Sequence, residues 1–374
     1  MQSAFELSYP PKIVFGTGKL QMLPSLLPPA AEILLVTGRH AEENGLSAEI
    51  TKMLSSFRVL TASGIHPEPL LSDVDMLIEI GRKERLTCVV AVGGGSVLDA
   101  AKAAAAIIPS EGCCADYFYD KRKIVSKGLF FAALPSTAGT GTEITKNSVL
   151  TDPVAKIKKS IRHQTMIPDL ALIDPALTLS CPPSLSAASG MDALVQAIES
   201  YVSTNANAAS RALARAAVAS IYHTLPEVCI KPQDIALRSI MAEGSLLSAM
   251  AFSQSGLGAI HGLAHPIGAL LNVPHGLTCT ILLPHLLTWN APVCHNEYRE
   301  LAFACTDSPD ADFTEAVSKL CRELSVPQGF REFKLSGEHF DFVLKNCRSN
   351  SMTTNPRPMA DEDIIALLKQ LANH

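Results

Sequence analysis

The chain has 374 residues, of which 47 % are hydrophobic and 18 % charged, with a formal net charge of −5. This is enough apolar material for two domains of ordinary size and excludes a disordered polyelectrolyte. No basic block suggests a nucleic-acid partner, no run approaches the ~20 apolar residues of a membrane span, and no basic-then-apolar leader opens the sequence. The ten cysteines are scattered without a CxxC pair. They read as reduced, mostly core thiols of a cytoplasmic protein.

In chain order, Ile33-Leu-Leu-Val-Thr37 is an apolar run of strand length. Ser72-Asp-Val-Asp75 carries a serine cap and an aspartate that can close a capping box, which marks a helix start. Thr87-Cys-Val-Val-Ala-Val92 is a buried strand followed by a helix from 96 to about 107. Leu129-Phe-Phe-Ala-Ala-Leu134 is another strand, and Ala171-Leu-Ile-Asp174 the last. Such alternation predicts a parallel sheet covered on both faces, an α/β Rossmann-like N-terminal domain over residues 1–180. Beyond two prolines at Ser180-Cys-Pro-Pro-Ser184 the pattern becomes helical, over 187–201, 208–223, 232–252 and 258–271. An all-α C-terminal domain over 181–374 is expected.

Val90-Ala-Val-Gly93-Gly94-Gly95-Ser96 reads as strand, glycine turn and helix. Glycines let backbone approach a phosphate, and the free N–H groups of the helix start point at it. A capping box of Ser96 and Asp99 explains the same residues structurally. Leu134-Pro-Ser136-Thr137-Ala-Gly139-Thr140 offers hydroxyls at the end of another strand, suited to hydrogen bonding a cofactor or to an ordinary capped turn. Phe15-Gly16-Thr-Gly18 is a weaker glycine motif of the same kind, which a hairpin turn explains equally well. After Thr37 the chain has Gly38 and Arg39, not the acidic side chain that holds an NAD ribose. Glycine makes room and arginine can pair with a 2′-phosphate, which tilts the expectation toward NADP; the alternative for Arg39 is a solvated turn residue.

His261 and His265 lie four apart on a predicted helix and share a face. His275 follows an Asn-Val-Pro turn, from which a loop residue can fold back toward that face. Asp192 and Gln196 present a carboxylate and a carboxamide at the same spacing. Converging imidazoles suit a divalent metal; the alternative is helix packing with buried histidines. With the glycine motifs in one half and these residues in the other, an active site between the domains is expected.

Together, Gly93-Gly-Gly-Ser96 with Asp99 and Lys102, Ser136-Thr-Ala-Gly-Thr140 with Glu143, Gly190-Met-Asp192-Ala-Leu, and His261-x3-His265-x9-His275-Gly276 resemble the iron-containing (group III) alcohol dehydrogenase family, with its dehydroquinate synthase-like fold. The resemblance runs from Phe15 to Asn355-Pro-Arg357-Pro. It implies an NAD- or NADP-dependent oxidoreductase that interconverts a small alcohol with its aldehyde or ketone, and a homo-oligomer, a dimer or larger. By position, Gly94, Gly95 and Ser96 would meet the pyrophosphate. Asp99, Ser136, Thr137, Thr140 and Lys158, the last placed ten residues before Pro168, would complete the cofactor site. Asp192, His261 and His275 match metal ligands, and His265 matches a histidine beside nicotinamide and substrate that could relay a proton.

Gln196 stands where iron-binding members carry a further histidine, and its oxygen is a poorer ligand for a late first-row metal. Iron, zinc held as in glycerol dehydrogenase, and a metal-free site as in maleylacetate reductases therefore all stay open. A metal-free reductase of an acidic substrate would need cations such as Lys146, Lys158, Arg162 and His163. A non-catalytic relative that only binds cofactor is the remaining alternative.

Overall fold

A computed structural model describes residues 4–155, 157–308 and 310–374. The chain divides into two compact units, one of Tyr9–Cys181 and one of Pro182–His374 together with the described residues before Tyr9.

The first unit holds eight strands among its described residues: β1 (Lys12–Phe15), β2 (Glu32–Thr37), β3 (Arg58–Ala62), β4 (Cys88–Gly93), β5 (Phe130–Pro135), β6 (Asn147–Asp152), β7 (Ile157–Arg162) and β8 (Leu170–Ile173). Six form a parallel sheet in the order β1-β8-β5-β4-β2-β3. Alternate residues feed two cores, as a parallel sheet with both faces covered requires. Leu34, Val36, Val89 and Ala91 enter one core, while Ile33, Leu35, Val90 and Val92 enter the other. The Gly95–Ile107 helix follows β4 and is buried almost throughout, which its run of alanines permits.

Two local expectations shift, and one further element joins the fold. The capping box of the Leu71–Lys83 helix is closed by Asp73, whose Oδ2 accepts from Leu70 N at 2.9 Å. Asp75, the expected closing residue, instead accepts from Cys114 N at 2.6 Å. Gly16 and Gly18 do not form a hairpin, because β1 runs parallel to β8. Their turn is held by Asp174, which accepts from Gly18 N at 3.1 Å and Leu20 N at 2.9 Å. Finally, β6 and β7 pair as an antiparallel hairpin outside the main sheet.

Every regular element among the described residues of the second unit is a helix. The helices Pro183–Val202, Ala208–Ile230 and Ile235–Ser255 pack on one another, and Ala259–Leu271 and His275–Asn290 follow. Asn207 and Asp234 cap the second and third, accepting from Ser210 N at 3.0 Å and Ala236 N at 2.9 Å. The chain before Tyr9 joins this unit through Ser8, which donates to and accepts from the Gln254 amide at 3.0 Å each way. The Ile235–Ser255 helix meets the length and composition of a membrane span, contrary to the sequence expectation. Its alanines and serines hid that, yet it packs against its two neighbours with Arg238 buried on Ser186 Oγ at 2.7 Å.

Candidate active site

In the α/β unit, the glycine loop and the hydroxyl-rich loop meet at the C-terminal ends of β4 and β5. Ser136 N donates to Gly93 O at 2.9 Å. A Cβ on Gly95 would stand 2.6 Å from Thr140 Oγ1 and 3.0 Å from Thr140 Cβ, so glycine is what lets the loops close together. Thr137 approaches Gly94. Gly94 is the N-cap of the Gly95–Ile107 helix and makes no side-chain capping bond. The expected Ser96–Asp99 capping box is therefore not formed, and the helix start keeps N–H groups suited to an anion. Ser96 Oγ donates to the carbonyl of Pro67.

Other candidates on this unit lie differently. Gly38 caps the short Arg39–Glu43 helix at the end of β2, and the exposed Arg39 guanidinium is 3.9 Å from Glu43. Lys158 lies on β7 in an ion pair with Glu68. Lys146 precedes β6, Arg162 ends β7 and His163 follows it.

Asp99 points into the protein. It is buried beside Lys102 and Glu143. Lys102 Nζ donates to the carbonyls of Thr142 and Thr145, both at 2.6 Å, and of Asn147 at 2.9 Å. Burial lowers the pKa of Lys102 to about 8. Burial likewise raises Glu143 to about 7 and Asp99 to about 6, against the pull of Lys102. This ionic cluster fastens the glycine-loop helix to the end of the hydroxyl-rich loop.

In the helical unit, Asp192, His261, His275 and Cys279 place one ligand atom each within 4.8 Å of one another. Asp192 Oδ1 is 3.4 Å from His261 Nε2 and 3.8 Å from His275 Nε2. Asp192 Oδ1 and His261 Nε2 are buried and have no hydrogen-bond partner among the described residues. Buried polar atoms are rarely left so, and a cation satisfies both.

The surrounding groups orient these atoms. Glu199 Oε2 accepts from His261 Nδ1 at 2.6 Å, and its other oxygen accepts from Ile260 N at 2.7 Å. A carboxylate cannot donate, so Nδ1 carries a proton and Nε2 is the ring atom turned toward the cluster. Burial works against a charge on His261, but Cys279, Glu199 and Asp192 outweigh it and raise its pKa well above the ordinary value, so a cation bound at Nε2 would displace a proton held there. Gln196 Nε2 donates to Asp192 Oδ2 at 3.0 Å, which leaves Oδ1 for the cluster.

His275 is not on a loop. Asn272 ends the preceding helix in the left-handed conformation, and His275 opens the His275–Asn290 helix. The rings of His265 and His275 stack at 5.1 Å with 13° between their planes. The helices bearing Asp192 and His275 approach at Gly276, where a Cβ would lie 2.3 Å from Ala188 O.

The structure thus brings Asp192, Gln196, His261, His265 and His275 together, and adds two residues that spacing missed. Glu199 shares the helix face of Asp192 and Gln196, seven and three residues on. Cys279 lies one turn after His275, a signal hidden by the expectation of a loop.

Residues 10–175 match the iron-containing alcohol dehydrogenase family and residues 186–372 match the Fe-containing alcohol dehydrogenase family, C-terminal. The chain is 32 % identical to the probable alcohol dehydrogenase EutG of Escherichia coli over 90 % of its own length and 86 % of the relative's. It is 30 % identical to long-chain-alcohol dehydrogenase 1 of Geobacillus thermodenitrificans, covering 98 % of this chain and 96 % of that one. The fold matches sulfoacetaldehyde reductase from Bifidobacterium kashiwanohense, solved in complex with NAD+, with a TM-score of 0.92 and 28 % identity across 99 % of each chain. On these grounds the chain belongs to the iron-containing alcohol dehydrogenase family.

Proposed function

We propose that the protein is a nicotinamide-dependent alcohol dehydrogenase that interconverts a small alcohol and its aldehyde, with a divalent metal held by Asp192, His261 and His275. The observation that carries this reading is the pair of buried, unbonded atoms, Asp192 Oδ1 and His261 Nε2, facing each other at 3.4 Å beside His275. The donor set of one carboxylate and two imidazoles fits a catalytic divalent site. When bound, the metal supplies Lewis acidity at the substrate oxygen and the nicotinamide supplies or accepts the hydride.

The residues of the chain have separate tasks. Gly94, Gly95 and the helix start behind them bind the pyrophosphate; Ser136, Thr137 and Thr140 line the cofactor. Asp99 acts one step removed, through Lys102, by fixing the loop that carries those hydroxyls. Glu199 holds the His261 tautomer, and Gln196 turns Asp192. His265, packed on His275, carries the proton to or from the substrate oxygen, since imidazole titrates near neutrality. NAD is the proposed cofactor, as in the solved relative. The exposed Arg39 can also meet a 2′-phosphate, so NADP is accepted as well. A dimer or larger homo-oligomer is part of the proposal, resting on the family.

Stripping the metal with a strong chelator is the test. Aldehyde-dependent NADH oxidation should fall roughly 10²–10³-fold, as expected for the several kcal/mol a Lewis acid contributes. Added divalent metal should restore it, and NADH binding should not change. Undiminished turnover by metal-free protein would favour the reductase of acidic substrates instead.

A further inference from the structure

A further candidate donor stands beside the metal site proposed above, and what is inferred of it rests on that reading. Cys279 follows His275 by one helical turn, so the two side chains leave the same face of the His275–Asn290 helix. Its Sγ lies 3.6 Å from His275 Nε2 and within 4.8 Å of the donor atoms of Asp192 and His261. The thiol is free and fully buried, with Asp192 Oδ1 and His261 Nε2 aimed into the same space. Buried cysteine is often only a small core residue. Here a carboxylate and two imidazoles bring donor atoms within reach of the sulfur, which is a coordination environment.

Gln196 is the rival for the fourth position. Its amide nitrogen donates to Asp192 Oδ2 at 3.0 Å, while its Oε1 is buried with no hydrogen-bond partner among the described residues. Turning the amide over would set its oxygen against that carboxylate oxygen, so the bond fixes the orientation. An amide oxygen is also a hard donor, less suited than sulfur to a late first-row ion.

We infer that Cys279 is a ligand, so that Asp192, His261, His275 and Cys279 form a mixed oxygen, nitrogen and sulfur set. One thiolate and one carboxylate with two neutral imidazoles balance the charge of a divalent cation. Loading the site releases the thiol proton to solvent. Sulfur directs the site toward zinc or cobalt, and away from magnesium or manganese, which prefer oxygen donors. With four protein donors, a bound zinc would have to expand its coordination to polarise a substrate oxygen, which zinc tolerates.

The test uses cobalt(II) as the probe on the full-length protein. Bound cobalt is counted by elemental analysis, and the near-ultraviolet spectrum is recorded for the wild type, Cys279→Ser and Gln196→Ala. The wild type should bind stoichiometric cobalt and show an intense thiolate-to-cobalt charge-transfer band. Gln196→Ala should keep that band and Cys279→Ser should lose it. Stoichiometric cobalt in the wild type without the band, or a band that survives in Cys279→Ser, would overturn the sulfur ligand while leaving the metal reading in place. A wild type that takes up no cobalt would overturn both. The wild-type spectrum decides the matter even if the serine variant does not fold.

Discussion

Replacing Gly276 with alanine is expected to disable the enzyme while changing no ligand. The added Cβ would meet Ala188 O at 2.3 Å and Ala188 C at 2.9 Å. Both are backbone atoms in the middle of a helix turn and cannot swing aside. The Pro183–Val202 and His275–Asn290 helices must therefore separate, one carrying Asp192 and the other His275 and Cys279. Overpacking of this kind costs about 1–3 kcal/mol. A displacement near 1 Å in a catalytic constellation costs about 10² in rate. The variant should melt several degrees lower, hold less metal and lose roughly two orders of magnitude in kcat. A Gly276→Ala protein with wild-type metal content and rate would show that the two helices do not set the geometry of the site.

Lys102→Met should have a comparable effect on the other unit. Three carbonyls, those of Thr142, Thr145 and Asn147, lose their donor in a site without solvent, and Asp99 and Glu143 lose their counter-charge. Removing one partner of a buried ionic cluster costs about 3–5 kcal/mol. The loop that carries Ser136, Thr137 and Thr140 is anchored just beyond Thr140, so the loss should extend to cofactor binding. Titration with NADH should show affinity down by at least about tenfold, the equivalent of ~1.4 kcal/mol, together with a lowered unfolding temperature. An unchanged dinucleotide affinity would reduce Lys102 to a purely structural role.

Much of this was legible before any coordinates. The runs around Leu34, Val90, Ala132 and Leu172 are continuous and apolar because both faces of a parallel sheet are buried, so they announce themselves. The hairpin β6–β7 escaped notice because Lys158, Lys159 and Arg162 interrupt any apolar run, and only Ile161 and Leu150 are buried on its strands besides Ser148. The i,i+4 pairs Asp192–Gln196 and His261–His265 were readable because helical spacing alone puts them on one face. Cys279 was not, because its relation to His275 exists only once His275 begins a helix. Nor was the inward turn of Asp99, since a capping aspartate and a buried one share the same sequence context; the choice is made by Lys102 and the loop it binds.

The central claim is that Asp192, His261 and His275 surround one divalent cation. Crystals of zinc-loaded protein, measured on both sides of the zinc absorption edge, test it most directly. The account predicts a single strong anomalous peak in each chain bonded to Asp192 Oδ1, His261 Nε2 and His275 Nε2. A peak elsewhere, or none among these side chains in protein that still turns over fully, would contradict it.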